Sequence, residues 1–270
     1  VTKSLPNYEI LALRFAHAEG RSAKQNFLMD GHDLPTAMAF YIWAIRDPES
    51  GRVIVVDTGF SAESGKKRGR DFLHQPADIL KMAGIDPTKV ADAVITHLHW
   101  DHSGNTGILP QATFHIQDKE MAYATGRNMT HPFFSKSNQV EDVVEMVHNV
   151  YGGRVCFHDG DGTVAPGVTV HLIGGHTDGT QVVRVHTARG WVVLASDAAH
   201  YWKNIHDRNP FPKVSDIGKT IGGFRLLLEM ADGIDFIIPG HDPAVLTRFP
   251  QLDGNVANVD IVRVDLAPIA

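Results

Sequence analysis

The chain has 270 residues, 43% hydrophobic and 21% charged, a formal net charge of −6 and a single cysteine. That length can bury a sizeable core within one domain spanning 1–270, no apolar run is long enough to span a bilayer, and the negative charge gives no general attraction to nucleic acid. Cys156 alone can form neither an intramolecular disulfide nor a cysteine-rich zinc site, so any metal has to sit on histidine and carboxylate.

In chain order, residues 1–9 carry no basic segment followed by an apolar stretch, so nothing there resembles a secretory signal. The expected location is the cytoplasm, with a removed leader left open. Runs rich in β-branched and aromatic residues at 8–15, 37–45, 53–57, 91–96 and 113–116 read as strands. The polar stretch 61–70 reads as a surface loop, and 71–83 and 119–125 as short helices. Val140, Val143, Val144 and Val147 recur at i, i+3, i+4 and i+7, which predicts a helix. A Gly-rich loop at 158–167 precedes strands at 168–173, 181–186 and 191–196. Ile217, Ile221, Phe224 and Leu228 form a second helical stripe with Ser215 as its N-cap, before a last strand at 235–239. Strands followed by helices in both halves suit an α/β fold with two packed sheets and helices outside, a four-layer αββα sandwich.

Sixteen histidines are present, and some of them gather. Thr96-His97-Leu98-His99-Trp100-Asp101-His102 places four potential ligands within six residues, directly after an apolar run. An extended exit from the strand projects His97 and His99 to one side and turns Leu98 and Trp100 into packing. His176, Asp197 and His241 likewise follow apolar strand-like runs, and strand ends on one edge of a sandwich converge in space. Gly174, Gly175 and Gly240 let the backbone turn where side chains crowd an ion, and Gly104 allows the turn after His102. Imidazoles with carboxylates are the donors suited to Zn²⁺ and its neighbours.

The string His97-Leu98-His99-Trp100-Asp101-His102, followed by His176, Asp197 and His241, resembles the metallo-β-lactamase superfamily, and Val55-Val56-Asp57-Thr58-Gly59 looks like its early strand-end motif. The resemblance implies that His97, His99 and His176 hold one metal, that Asp101, His102 and His241 hold a second, that Asp197 bridges them, and that Asp57 supports the metal loop. It implies two divalent ions, zinc by expectation, and a hydroxide between them that attacks a carbonyl carbon.

Departures from the common pattern guide the choice of branch. Asp197 stands where the zinc-dependent β-lactam hydrolases carry Cys, and His99 where flavo-diiron proteins carry Glu. Glyoxalase II-type thioesterases share all seven ligands but not the stretch after His241. The remainder is most similar to the N-acyl-homoserine lactonase branch, which implies hydrolysis of a small lactone. Thioester, phosphotriester or phosphodiester hydrolysis on the same centre is the alternative. A single-iron oxidoreductase of the persulfide dioxygenase type, using only His97, His176 and Asp197, stands further off. Those lactonases carry Tyr three residues after the bridging Asp; here that position is His200, followed by Tyr201, and Gly174 replaces the usual Pro before Gly175-His176.

Asp101, His200 and Tyr201 are therefore the candidate catalytic groups, with the choice between His200 and Tyr201 open. His131-Pro132-Phe133-Phe134 and Trp202 are candidates for a pocket wall or for ordinary packing. His17, His32, His74, His115, His148, His158, His171, His186 and His206 fit no ligand spacing, although His17 is retained as a pocket candidate, and Cys156 reads as a small core residue. The expected partner is a small-molecule ester, with no nucleic acid and no membrane; a homodimer is left open.

Overall fold

The computed structural model describes residues 4–252 and 260–269. Residues 1–3, the start of the N-terminal stretch considered above, lie outside them.

Side-chain alternation along the strands sorts the apolar residues into layers. The first strand, β1 (Glu9–Ala18), sends Leu11, Leu13 and Phe15 to one face and Ile10 and Ala12 to the other. It is followed by β2 (Met38–Arg46), β3 (Val53–Val56), β4 (Asp71–Phe72), β5 (Asp92–Val94), β6 (Thr113–Gln117) and β7 (Val155–His158). The second sheet comprises β8 (Gly162–Ala165), β9 (Val168–Leu172), β10 (Gln181–Thr187), β11 (Gly190–Ser196) and β12 (Ile237–Pro239). A last strand, β13 (Ile261–Arg263), returns to the first sheet beside β1.

The first sheet runs β13-β1-β2-β3-β5-β6-β7, with β4 also paired to β1; the second runs β12-β11-β10-β9-β8. From β3 to β7 the pairing is parallel, so β3 and β5 deliver their C-terminal ends to one edge. β11 and β12 are parallel as well, and they bring Asp197 and His241 to adjacent strand ends.

Ile10, Tyr41, Trp43, Ile54 and Val56 of the first sheet meet Val170, Val183, Val185, Val192 and Leu194 of the second. The opposite face of the first sheet packs Leu11, Leu13 and Phe15 with Ile79 and Leu80 of the helix Pro76–Met82 and with Val143 and Met146 of the helix Val140–Tyr151. Val182, Val193 and Ala195 on the outer face of the second sheet pack with Phe224 and Leu227 of the helix Ile217–Met230. Three apolar layers between four structural ones make the expected αββα sandwich. Among the described residues no helix is long and apolar enough to cross a membrane.

The local differences from the sequence reading have physical causes. In the helix Val140–Tyr151 the buried residues are Asp142, Val143, Met146 and Asn149, while Val140 is 71% exposed. Polar Asp142 and Asn149 on the inner face hid its true centre from an apolar count. The helix Ile217–Met230 is rotated in the same way, burying Thr220, Gly223, Phe224 and Leu227. Its N-cap is Asp216, which accepts from Lys219 N at 2.9 Å, while the Ser215 hydroxyl donates to Gly175 O. The stretch 61–70 is no plain loop, because Ser61 caps a helix Ala62–Lys67; 158–167 contains β8; and 71–83 divides into β4 and the helix Pro76–Met82.

Candidate metal centre

Asp57 leaves the end of β3 with φ of 61°, a left-handed conformation that Asp tolerates better than most residues. Its fully buried carboxylate accepts from Thr96 N at 2.8 Å, Thr96 Oγ1 at 2.8 Å and His102 Nδ1 at 2.7 Å. One carboxylate therefore anchors the start of the histidine loop and fixes the His102 tautomer, leaving Nε2 to face the cluster. His176 Nδ1 donates to Lys213 O at 2.7 Å and His241 Nδ1 to Ala39 O at 2.8 Å, which present their Nε2 atoms in the same way.

Buried Glu120 accepts from Leu98 N at 2.7 Å and from Thr177 Oγ1 at 2.5 Å, tying the His97–His99 stretch to the His176 loop. Burial pushes its carboxyl up to about 7. Gly175 has φ of +89°, and a Cβ there would lie 2.6 Å from Thr220 N. Gly240 is required for space rather than for its φ, since a Cβ would lie 2.5 Å from Ser196 O.

Ligand atoms of His97, His99 and His176 lie within 4.8 Å of one another, and those of Asp101, His102 and His241 do the same. Asp197 sits between the two groups. Its Oδ2 is 3.2 Å from His176 Nε2, and its Oδ1 is 3.2 Å from His102 Nε2 and 2.9 Å from His241 Nε2. The Nε2 atoms of His97, His99 and His102 and Oδ1 of Asp197 are buried without a hydrogen-bond partner. Buried polar atoms are normally satisfied. Several orphaned nitrogen and oxygen donors in one place fit cations with borderline character, so the cluster is a candidate two-metal site.

Burial, reinforced by neighbouring imidazoles, holds His97 and His99 well below the usual histidine range, and burial lowers His176 to about 4. The shift favours the neutral form in all three, the state a metal ligand requires. For His102 burial acts in the same direction, but the carboxylates of Asp197, Asp57 and Asp101 outweigh it and raise the pKa well above normal. Burial likewise opposes ionisation of Asp197, and the surrounding His200, His241, His102 and His176 outweigh it.

Of the two candidates after Asp197, the turn brings one into the cluster. His200 Nε2 donates to Asp197 Oδ2 at 2.9 Å, and its ring stacks on Phe211 at 3.4 Å and 9°. Tyr201 donates its hydroxyl to Ala37 O at 3.0 Å and packs its ring against Phe27, outside the metal cavity. Leu98 and Trp100 are buried as expected, Trp100 against Phe60 at 4.6 Å with the Arg68 guanidinium over it. Gly104 serves close approach, since a Cβ would lie 2.9 Å from Gly59 O.

A cavity of about 140 Å³ opens onto His99, Asp101, His176, Asp197, His200 and His241. His17, His131, Phe133, Phe134 and Trp202 do not line it; His17 lies beside Glu19, and Trp202 is buried with Nε1 donating to Ile237 O. Arg21, Arg70 and Lys213 do line it, and no spacing in the sequence announced them. Strand pairing also joins His115, half-buried Cys156 and His158, with ligand atoms within 4.8 Å of one another. Cys156 is therefore not a core residue; it lies on β7, at the end of its sheet.

A sandwich with a histidine and aspartate cluster at one edge defines a class. The chain belongs to the metallo-beta-lactamase superfamily, whose sequence model matches residues 38–241. Among characterised proteins it is similar to the N-acyl homoserine lactonase AttM of Agrobacterium fabrum, 27% identical over 185 residues, covering 64% of this chain and 66% of the relative. It also resembles the N-acyl homoserine lactonase AiiA of Bacillus thuringiensis subsp. kurstaki, 28% identical over 135 residues, or 50% of this chain and 48% of that one. The match thus spans just under two thirds, or about half, of these relatives' lengths. Among solved structures, a quorum-quenching N-acyl homoserine lactone lactonase superposes with a TM-score of 0.71 at 20% identity, covering 90% of this chain and 95% of that chain. The dizinc quorum-quenching lactonase AidC gives 0.68 at 16% identity over 89% and 90%.

Proposed function

We propose that this chain is a single-domain, two-metal hydrolase that opens the ester bond of a small lactone. In this reading His97, His99 and His176 hold one ion, Asp101, His102 and His241 the other, and Asp197 lies between them. The observation that carries it is the pair of complete ligand triads flanking one buried carboxylate. The resemblance to N-acyl homoserine lactonases supports the choice of a lactone. A single-iron oxidoreductase would leave Asp101, His102 and His241 without a task.

When bound, two divalent ions supply Lewis-acid polarisation of the acyl oxygen and a water made acidic near neutral pH. In hydrolysis the acyl carbon–oxygen bond breaks, the carbon gains the oxygen of water, and a proton passes to the leaving alkoxide. The chain contributes orientation. Asp57, Lys213 O and Ala39 O fix the tautomers of His102, His176 and His241, and Trp100 with Phe40 supplies an apolar wall that limits water.

His200 acts through Asp197. With its Nε2 hydrogen committed to Oδ2, and with burial lowering its pKa to about 4, neutral His200 orients the carboxylate and has no second hydrogen to give. His200→Ala is expected to lower kcat and kcat/KM together by about 10²-fold, at the upper end of what loss of a partner to a metal ligand costs. Tyr201→Phe should change kcat by no more than a few-fold, since its hydroxyl serves Ala37 O. The test is steady-state kinetics on a panel of lactones followed by proton release, with metal content measured beside it. The reverse ranking would assign the role to Tyr201, and turnover of thioesters or phosphotriesters but no lactone would overturn the substrate class.

A further inference from the structure

Three cations converge on the metal cavity from three separate parts of the chain. Arg21 follows β1, Arg70 immediately precedes β4, and Lys213 belongs to the segment whose carbonyl receives His176. Among the described residues none of the three has a carboxylate within ion-pair distance. Elsewhere the partly buried arginines have either a carboxylate, as Arg46 with Glu9 and Arg263 with Asp265, or a full hydrogen bond to a neutral oxygen, as Arg68 to Ser64 Oγ, Arg154 to Leu109 O, Arg184 to Met230 O and Arg189 to Val264 O.

The cavity cations differ in their partners. Arg21 donates to the neutral oxygens Asn26 Oδ1 at 2.8 Å and Gln25 O at 3.0 Å. Lys213 rests on Phe133, its ammonium on the carbonyl and 4.6 Å from the ring centroid. Arg70 has less: its guanidinium lies 5.6 Å from the Phe40 ring centroid, and its buried Nε has no partner. The acids lining the cavity are Asp101 and Asp197, both already assigned to metals. Two divalent ions would more than cancel those two carboxylates, so the cations are not there to neutralise them. Nor is the cationic character general, because the chain as a whole carries a net charge of −6.

A guanidinium held half-buried and unpaired is costly unless an anion meets it, and its planar fork suits carboxylate and phosphate oxygens. An acyl chain laid against it would strip its water and return nothing. We propose that the substrate carries an anionic substituent, a carboxylate or a phosphate, away from the ester that is cleaved, and that Arg21, Arg70 and Lys213 receive it. This rests on the hydrolase reading above and narrows it to compact acidic lactones, which also suit a cavity of about 140 Å³.

The experiment uses the zinc-loaded full chain and three γ-lactones that share one ring: unsubstituted, carboxylate-bearing and phosphate-bearing. One of the anionic lactones should exceed the neutral one in kcat/KM by about tenfold or more, and which one does so identifies the anion. Arg70→Gln should cut that preference about tenfold, chiefly through KM, and Arg70→Lys should restore part of it. Lys213→Gln gives a second reading should Arg70→Gln fold poorly. Equal rates on neutral and anionic lactones, or equal losses on both in the variants, would overturn the proposal.

If no lactone is hydrolysed, the failure belongs to the lactonase reading, and calorimetry decides the cation site separately. Glutarate and butyrate each offer one carboxylate to the metals, and glutarate alone offers a second. Tighter glutarate binding that is lost in Arg70→Gln sustains the site. Equal binding of the two acids removes it.

Discussion

Asp197→Asn is expected to lower turnover by about 10³-fold or more while the chain stays folded, because the change removes the charge shared by both ligand triads without altering side-chain size. Asp197 faces His102, His176, His200 and His241 within 3.2 Å, so it is the point through which every part of the cluster is coupled. An amide there keeps one oxygen acceptor and turns two hydrogens toward imidazole nitrogens meant for metal. Bound metal should fall from two ions per chain to one or fewer by elemental analysis, with an unchanged far-ultraviolet circular dichroism spectrum. Retained metal and near-normal turnover would show that Asp197 is not a ligand.

The second large effect is expected at Asp57, which touches none of the cavity. Asp57→Asn should weaken metal binding about 10–100-fold, the usual cost of losing a partner to a metal-ligating histidine. Asparagine tolerates the φ of 61° found there, so backbone strain does not confuse the result, as it would with alanine. The amide can still accept from Thr96 N, but its hydrogens oppose His102 Nδ1 and disfavour the tautomer that points Nε2 at the cluster. A buried ionic partner is also lost, with an expected destabilisation of about 3 kcal/mol or more in urea unfolding of the metal-free protein. Unchanged metal affinity in Asp57→Asn would mean that His102 is oriented by its loop alone.

How much of this was legible depended on whether neighbours in space were also neighbours in sequence or ends of apolar runs. The stretch from His97 to His102 announces itself by ligand density after a strand, and His176, Asp197 and His241 by their positions at strand ends. The choice between His200 and Tyr201 was not legible, because it turns on backbone conformation. Ser196 adopts φ of 44°, and the turn that follows, with Ala198 N on Ala195 O, lays His200 rather than Tyr201 over Asp197. Arg21, Arg70 and Lys213 have no common spacing and meet only after three loops fold over the cavity. His115, Cys156 and His158 meet through the parallel register of β6 and β7, which no local pattern encodes. The two helical stripes misled because polar Asp142, Asn149 and Thr220 occupy inner faces, while Val140, Ile217 and Leu228 lie outward.

The most direct test is elemental analysis of the full chain purified from zinc-replete medium, combined with turnover measured on the same sample. Seven donors divided about Asp197 call for two ions per chain, and activity should rise with the second and not with the first alone. A reproducible stoichiometry of one ion per chain with full activity would contradict the two-metal centre.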